Sequence, residues 1–307
     1  MSPLRRTRRR RRINLTRIMA RLFIILAVIV VFFPIYWMVI TSFKTGGEIS
    51  EGPSYFPGLD FKPTLDSWKW TLSLGETAGS TGQMTEGLRR ELIERFFNSL
   101  IVAGGGSAAA VILGNMAGYG LARHKYRFFW GRWRNNDITF WFLSQRMLPP
   151  AAVIIAFLMI YRRLGWLDNV ASLGLIYAVF GIPFAVWLMR DAYAGIPEEL
   201  WESAAVDGAS GWQMFRSIGL PLSLPGTIAS FVFAFIFAWN EYLFALMLTF
   251  RNAETMPLLL SNQITALGIQ WNRLSALTVV SLLPAVIIAF VLDKYLVRVT
   301  LEGGSKG

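Results

Sequence analysis

The sequence predicts an all-α integral membrane protein: six transmembrane helices, a helix–turn–helix loop on the cytoplasmic side, and both termini cytoplasmic. Three observations predict it. Of 307 residues, 54% are hydrophobic and 16% charged, where a soluble domain carries about 25% charged residues. Six apolar runs are spread along the chain, each near the roughly 20 residues that cross a bilayer. Between the fourth and fifth runs lies a polar island, residues 196–225, whose local signals are those of two short helices and a turn.

The chain opens on a basic segment, residues 1–17, ahead of a membrane domain over 18–307. Residues 1–21 hold nine arginines and no acid. Beside a long apolar helix, such a run reads as a cytoplasmic anchor rather than a nucleic-acid arm. It is not a cleavable signal: the apolar run that follows, 22–40, is too long and no A-x-A-like site succeeds it. The second run, 98–121, carries no charge and contains Gly104, Gly105 and Gly106, then Gly114 and Gly118 at G-x-x-x-G spacing, a pattern for close helix packing. The third, 138–161, is interrupted by Arg146 and kinked at Pro149-Pro150. The fourth, 169–189, contains Pro183; the fifth, 223–250, contains Glu241; the sixth, 274–292, contains Pro284.

Orientation follows from positive charge near the helix ends. The first loop, 41–97, has six Lys or Arg against eight Asp or Glu and belongs outside. The second, 122–137, sets Arg123, Lys125, Arg127, Arg132 and Arg134 against Asp137 and belongs inside. Alternation then places the polar island inside, although residues 190–222 hold two arginines and five acids. That breach favours a specialised loop over a plain connector. The long outer section 60–90, with Trp68, Trp70 and a Gly/Ser/Thr-rich part at 75–87, reads either as a contact for an extracytoplasmic protein or as a mobile hairpin.

Within the island, Pro197 suits a first helical position, and Glu198 and Glu199 suit the positive end of the helix dipole. Gly208 is a natural stop, and Ser210 with Gln213 three residues on has the form of a capping box. Leu220-Pro221 breaks the second helix. These signals fit an ordinary interhelical loop or a docking element for a partner outside the membrane.

Glu202-Ser203-Ala204, then Asp207-Gly208, nine residues, and Ile218-Gly219-Leu220-Pro221 resemble the EAA loop of permease subunits of bacterial ATP-binding-cassette importers, with Ser203 in place of the usual second alanine. Trp239-Asn240-Glu241-Tyr242, the stretch Ser144 to Pro150 and the Gly304-Ser305-Lys306-Gly307 tail are similar to the second permease of the maltose-type carbohydrate subgroup. The resemblance implies a coupling loop over 196–221, with Glu202, Ser203, Ala204, Asp207, Gly208, Ile218, Leu220 and Pro221 meeting an ATPase. It implies a second homologous permease, two ATPase subunits and an extracytoplasmic solute-binding protein as partners, besides membrane lipid and without nucleic acid. This chain would bind no cofactor and no metal; ATP and Mg would sit on the ATPase subunits. The implied location is the bacterial cytoplasmic (inner) membrane, and the cargo a sugar or sugar alcohol.

A carboxylate at membrane depth costs about 2.5–3.5 kcal/mol on insertion scales, so Glu241 should face protein or water. Two readings stand. It lines a solute path with Trp239, Asn240, Tyr242 and Gln145, or it bonds a neighbouring helix. Arg146 likewise binds a polar ligand, pairs with Glu241, or reaches an interface.

Other functions are disfavoured. With no cysteine and a single histidine, His124, the chain offers no clustered catalytic groups. It has no G-x-x-x-x-G-K-[ST] loop, so the chain is non-catalytic and hydrolysis would belong to a separate subunit. An importer of a non-sugar solute remains an alternative. A self-contained secondary transporter would need coupling-ion residues and internal repeats that are not evident.

Overall fold

A computed structural model describes residues 15–72, 82–127, 131–265 and 268–303. Residues 1–14, 75–81 of the Gly/Ser/Thr-rich section, and the last four residues of the tail lie outside them. Among the described residues the structure is almost entirely helical. Four helices are long and apolar enough to cross a membrane, and two bent helix pairs raise the number of possible spans to six.

The first, α1 (Leu15–Thr41), leaves its side chains from 19 to 36 exposed. An apolar surface of that extent suits lipid or a partner helix. Two short helices follow, α2 (Gly46–Ser50) and α3 (Asp66–Leu72). Just ahead of α2, Lys44 is buried: its Nζ donates to the Ser54 carbonyl at 2.5 Å and lies over the rings of Trp37 and Phe61. Burial pushes its ammonium below the usual lysine range, against the opposing pull of Glu48 and Asp60.

The frame is α4 (Gly82–Arg123) packed lengthwise on α7 (Val170–Ala194). Three of the five glycines predicted for close packing lie at this seam. A Cβ on Gly106 would meet the Gly174 carbonyl oxygen at 2.8 Å, one on Gly114 the Ala185 Cβ at 2.5 Å, and one on Gly118 the Arg190 nitrogen at 2.7 Å. Gly104 and Gly105 face open space. At 42 residues α4 is longer than the predicted run over 98–121. Its extra turns are polar, carrying the i,i+4 pairs Arg90–Glu94 and Arg95–Glu91, which support a helix without contributing hydropathy.

The third run is not one kinked helix. It is α5 (Asn135–Ser144), a tight turn over Gln145–Met147, and α6 (Pro150–Leu164), with 87° between the two helices. Pro149 lies ahead of α6 and Pro150 opens it, so the pair terminates one helix and starts another. The fifth run also departs from the predicted 223–250. After α8 (Glu198–Val206), α9 (Gly211–Met214), a π turn at Phe215–Gly219 and α10 (Leu220–Leu222), the chain bends by 73° into α11 (Leu224–Trp239). That helix ends at Trp239, and α12 (Leu243–Leu248) restarts beyond Asn240 and Glu241. The physical reason is Glu241, whose carboxylate accepts from the free N–H groups of Phe244 (3.0 Å) and Ala245 (3.4 Å) at the head of α12.

Beyond α12, Asp168 anchors the loop. Its carboxylate accepts from the backbone N–H groups of Phe250, Arg251, Asn252 and Ala253, and from the Asn252 side chain. A short helix α13 (Met256–Ser261) and a two-stranded hairpin, β1 (Ile264–Thr265) with β2 (Gly268–Ile269), lead to α14 (Trp271–Gly303). One apolar core gathers α4, α6, α7, α11, α12 and α14, including Phe235, Phe244 and Leu277. A second, smaller core sits under α8.

Candidate functional site

The polar island forms the two helices and turn that its sequence signals require. At the end of α8, Ala209 N–H donates to the Ala204 carbonyl (2.9 Å) and Gly208 N–H to the Ala205 carbonyl (3.1 Å). This is a Schellman closure, and it needs a residue at positive φ; Gly208 stands at +81°. The Ser210–Gln213 capping box closes reciprocally, with Ser210 N–H donating to Gln213 Oε1 at 2.7 Å and Gln213 N–H to Ser210 Oγ at 3.3 Å.

The second core mounts this element on the membrane helices. Tyr119 of α4, Met189 and Tyr193 of α7, Ile196, Trp201 of α8 and Phe215 pack together. Tyr119 meets Phe215 with ring centroids at 5.0 Å and donates its hydroxyl to the Gly211 carbonyl at 3.1 Å. Deeper, Tyr193 donates to Asn115 Oδ1 at 2.9 Å and Thr227 donates to the same oxygen at 3.2 Å, joining α4, α7 and α11. Arg123, the last residue of α4, forms a two-pronged pair with Glu198 at 2.6 and 2.8 Å while its guanidinium lies 4.7 Å from the centre of the Trp201 ring. Arg123 beside it holds the Glu198 carboxyl below the usual carboxylate range.

The opposite face of the loop is open. Glu202, Ser203, Asp207, Gly208 and Pro221 are exposed; Ala204, Ile218 and Leu220 are half-buried. Among the described residues Glu202 forms no ion pair. One residue not singled out in the sequence completes this face: Val206 is 88% exposed. Trp212, also exposed, stands instead beside Tyr119, His124 and Phe215, its ring centroid 5.2 Å from that of Phe215. A large apolar group left in the open beside small residues and a carboxylate without an ion pair makes a surface for protein contact. No periodicity marks Val206. Its signal was that it sits in a polar island with no partner run of its own.

The membrane-level candidates do not converge on one spot. Trp239 is buried, with Nε1 donating to the Ser281 carbonyl at 3.0 Å and the ring stacked on Phe235 at 5.6 Å. Asn240 is exposed and its Nδ2 donates back to the Ile236 carbonyl. Tyr242 is 38% exposed. Gln145 is exposed, bonded to the Trp141 carbonyl at 3.3 Å. Glu241 lines a cavity of about 70 Å³ with Arg146, Tyr177, Phe180, Phe237 and Phe244. Arg146 and Glu241 thus share a cavity wall without forming an ion pair.

Comparison with known proteins bears on both regions. Residues 110–300 match the family described as "Binding-protein-dependent transport system inner membrane component". The chain is similar to the diacetylchitobiose uptake system permease protein DasC of Streptomyces coelicolor, 31% identical over 277 residues, covering 90% of this chain and 92% of that one. It is similar to the trehalose/maltose transport system permease protein MalG of Thermococcus litoralis, 29% identical, covering 95% and 98%. Among solved structures it resembles a chain of a bacterial ABC transporter that imports the acidic polysaccharide alginate, with a TM-score of 0.67, 20% identity and coverage of 96% and 99%.

Proposed function

Given that the chain belongs to the family of inner membrane components of binding-protein-dependent transport systems, we propose that it is the permease subunit of an ATP-driven importer. Its cargo is a sugar or sugar alcohol delivered by an extracytoplasmic binding protein. The observation that carries the coupling half of this reading is the two-sided loop at residues 196–221. One side is bolted to α4 and α7 through Arg123–Glu198, Tyr119 and Trp201; the other presents Glu202, Ser203, Val206, Asp207 and Gly208 to a partner. The loop stands at the same end as Arg123, Lys125, Arg127, Arg132 and Arg134, which supports a cytoplasmic position.

The mechanism follows from the mounting. Closure of two ATPase subunits around ATP and Mg moves the grooves that hold the exposed face, and Glu202 takes a charge-assisted hydrogen bond in its groove. The displacement enters the membrane by two routes. One runs through Ile218, Leu220 and Pro221 into α11 across the 73° bend. The other runs through Arg123 and Tyr119 into α4. That helix spans roughly 63 Å at 1.5 Å per residue, about twice the hydrocarbon thickness. Well along the helix from Arg123, residues 95–99 tie it to the loop after α12 by Arg95–Glu254, by Asn98 Nδ2 on the Asn252 carbonyl at 2.9 Å and by Ser99 Oγ on the Met256 N–H at 2.7 Å. A movement at α8 therefore reaches the outer surface, where the binding protein docks, along one continuous rod. A second homologous permease completes the path across the exposed apolar faces of this chain. The sugar part of the reading is supported by the substrates named for DasC and MalG.

The test is reconstitution of the complete transporter in proteoliposomes with its binding protein, followed by ATP-dependent uptake of labelled disaccharides, polyols and amino acids. Saccharide or polyol uptake that requires ATP and the binding protein is expected. Uptake of amino acids only, or transport by this chain alone on an ion gradient, contradicts the proposal.

A further inference from the structure

Arg146 occupies the turn between α5 and α6, a bent pair long and apolar enough to be one membrane span. Its Nη1 donates to the Phe180 carbonyl at 3.2 Å, and its guanidinium lies 4.6 Å from the centre of the Phe237 ring. No carboxylate among the described residues stands within ion-pair range. A guanidinium at membrane depth is too costly to turn toward lipid, so this one faces protein or water. Phe237 beneath it is 52% exposed and meets Phe184 at 6.1 Å; Phe184 in turn meets Phe233, 48% exposed, at 5.6 Å. Aromatic rings thus line the face between α7 and α11, with Arg146 at one end and Glu241 on the wall of the same cavity. At about 70 Å³ the cavity admits water but no sugar ring; the open side of Phe237 continues the surface beyond it.

We propose that Arg146, Phe237 and Glu241 form this permease's wall of the solute path, and that the solute they take is a neutral saccharide. The inference rests on the import reading and names its solute class. The chemistry is complementary. Arg146 is a donor only; the Glu241 carboxylate is an acceptor only and, already taking the Phe244 and Ala245 N–H groups, reaches a sugar hydroxyl through water held in the cavity it lines, so hydroxyls find both a donor and an acceptor. The two charges cancel along the wall, so it has no net attraction for an anionic sugar. The apolar faces of a sugar ring suit Phe237. Arg146 is a solute-binding residue in this scheme, while Trp239, buried against Ser281, is not.

The chain has no cysteine, so a single Phe237→Cys variant in the assembled transporter reports directly. A water-soluble thiol reagent is expected to modify it, and the transported disaccharide to slow that modification. Arg146→Gln is expected to raise the uptake KM about tenfold or more, the size of a lost charged hydrogen bond, with Arg146→Lys in between. A Phe237→Cys variant closed to the reagent, or modified equally with and without saccharide, overturns the inference; so does unchanged saccharide KM in Arg146→Gln. If Arg146→Gln fails to assemble, the cysteine result decides alone. A wild-type transporter that moves none of the saccharides defeats the import reading instead, whatever the labelling shows.

Discussion

Gly208 allows backbone geometry to be separated from docking. Its φ of +81° is required by the Schellman closure, and a Cβ built on it meets nothing within 4 Å. Within this chain, then, a Cβ at 208 meets no steric clash; it incurs only the left-handed conformation, about 1–2 kcal/mol for an ordinary residue and less for Asn. That corresponds to roughly a five- to thirty-fold shift in local closure. A series follows. Gly208→Asn should keep near-normal ATP-dependent uptake, Gly208→Ala should lose part of it, and Gly208→Arg should abolish it. The alanine and arginine variants share the backbone cost, so the difference between them measures occlusion of the docking face. The assay is uptake in proteoliposomes, paired with quantification of the chain in the membrane, which should not change. If Gly208→Arg transports as well as Gly208→Ala, the face is not an ATPase contact and the reasoning fails.

Other perturbations probe separate parts of the structure. Glu202→Lys should abolish uptake without loss of membrane insertion, since Glu202 has no ion-pair partner inside the described chain and its charge is available to another; normal ATP-coupled uptake would refute this. Gly114→Val places a Cβ 2.5 Å from that of Ala185 and should destabilise the α4–α7 seam by about 1–3 kcal/mol, read as a lower Tm of the detergent-solubilised transporter. For Asp168, burial raises the carboxyl pKa, but the N–H bonds from residues 250–253 outweigh it and leave it lowered. Its anchoring contribution is therefore complete above the ordinary aspartate value, about 3.9, and lost as pH falls through the lower folded value. Protection factors against hydrogen exchange at 250–253 should stay high from pH 5 to 8 in the wild type and be reduced throughout that window in Asp168→Asn.

What could be read in advance was what is local. The stop at Gly208 and the Ser210–Gln213 box involve groups a few residues apart, and both close in the structure as their spacing requires. α1 and α7 are apolar along their length, so hydropathy finds them. It fails where helix continues through polar residues, as in the first turns of α4, and where a single side chain ends a helix inside an apolar run, as Glu241 does. The prolines at 149–150 announced a disturbance; that it is a stop and restart rather than a kink depends on the turn at Gln145–Met147. The mounting of the loop was out of reach. Arg123 and Glu198 are 75 positions apart, and nothing in α8 says that Trp201 turns inward while Val206 stays out. The small residues in α4 were legible as a packing motif because Gly106, Gly114 and Gly118 share one face; which helix they met was not.

If the α8 loop is where this chain receives work from an ATPase, its exposed face can be cross-linked to that subunit. With no native cysteine in the chain, Ser203→Cys or Asp207→Cys can be paired with single cysteines introduced around the groove of the ATPase subunit in the assembled transporter. Disulfides are expected at these exposed positions and none at buried Trp201→Cys. Cross-links that form to the ATPase from other loops, but never from residues 202–208, would contradict that role.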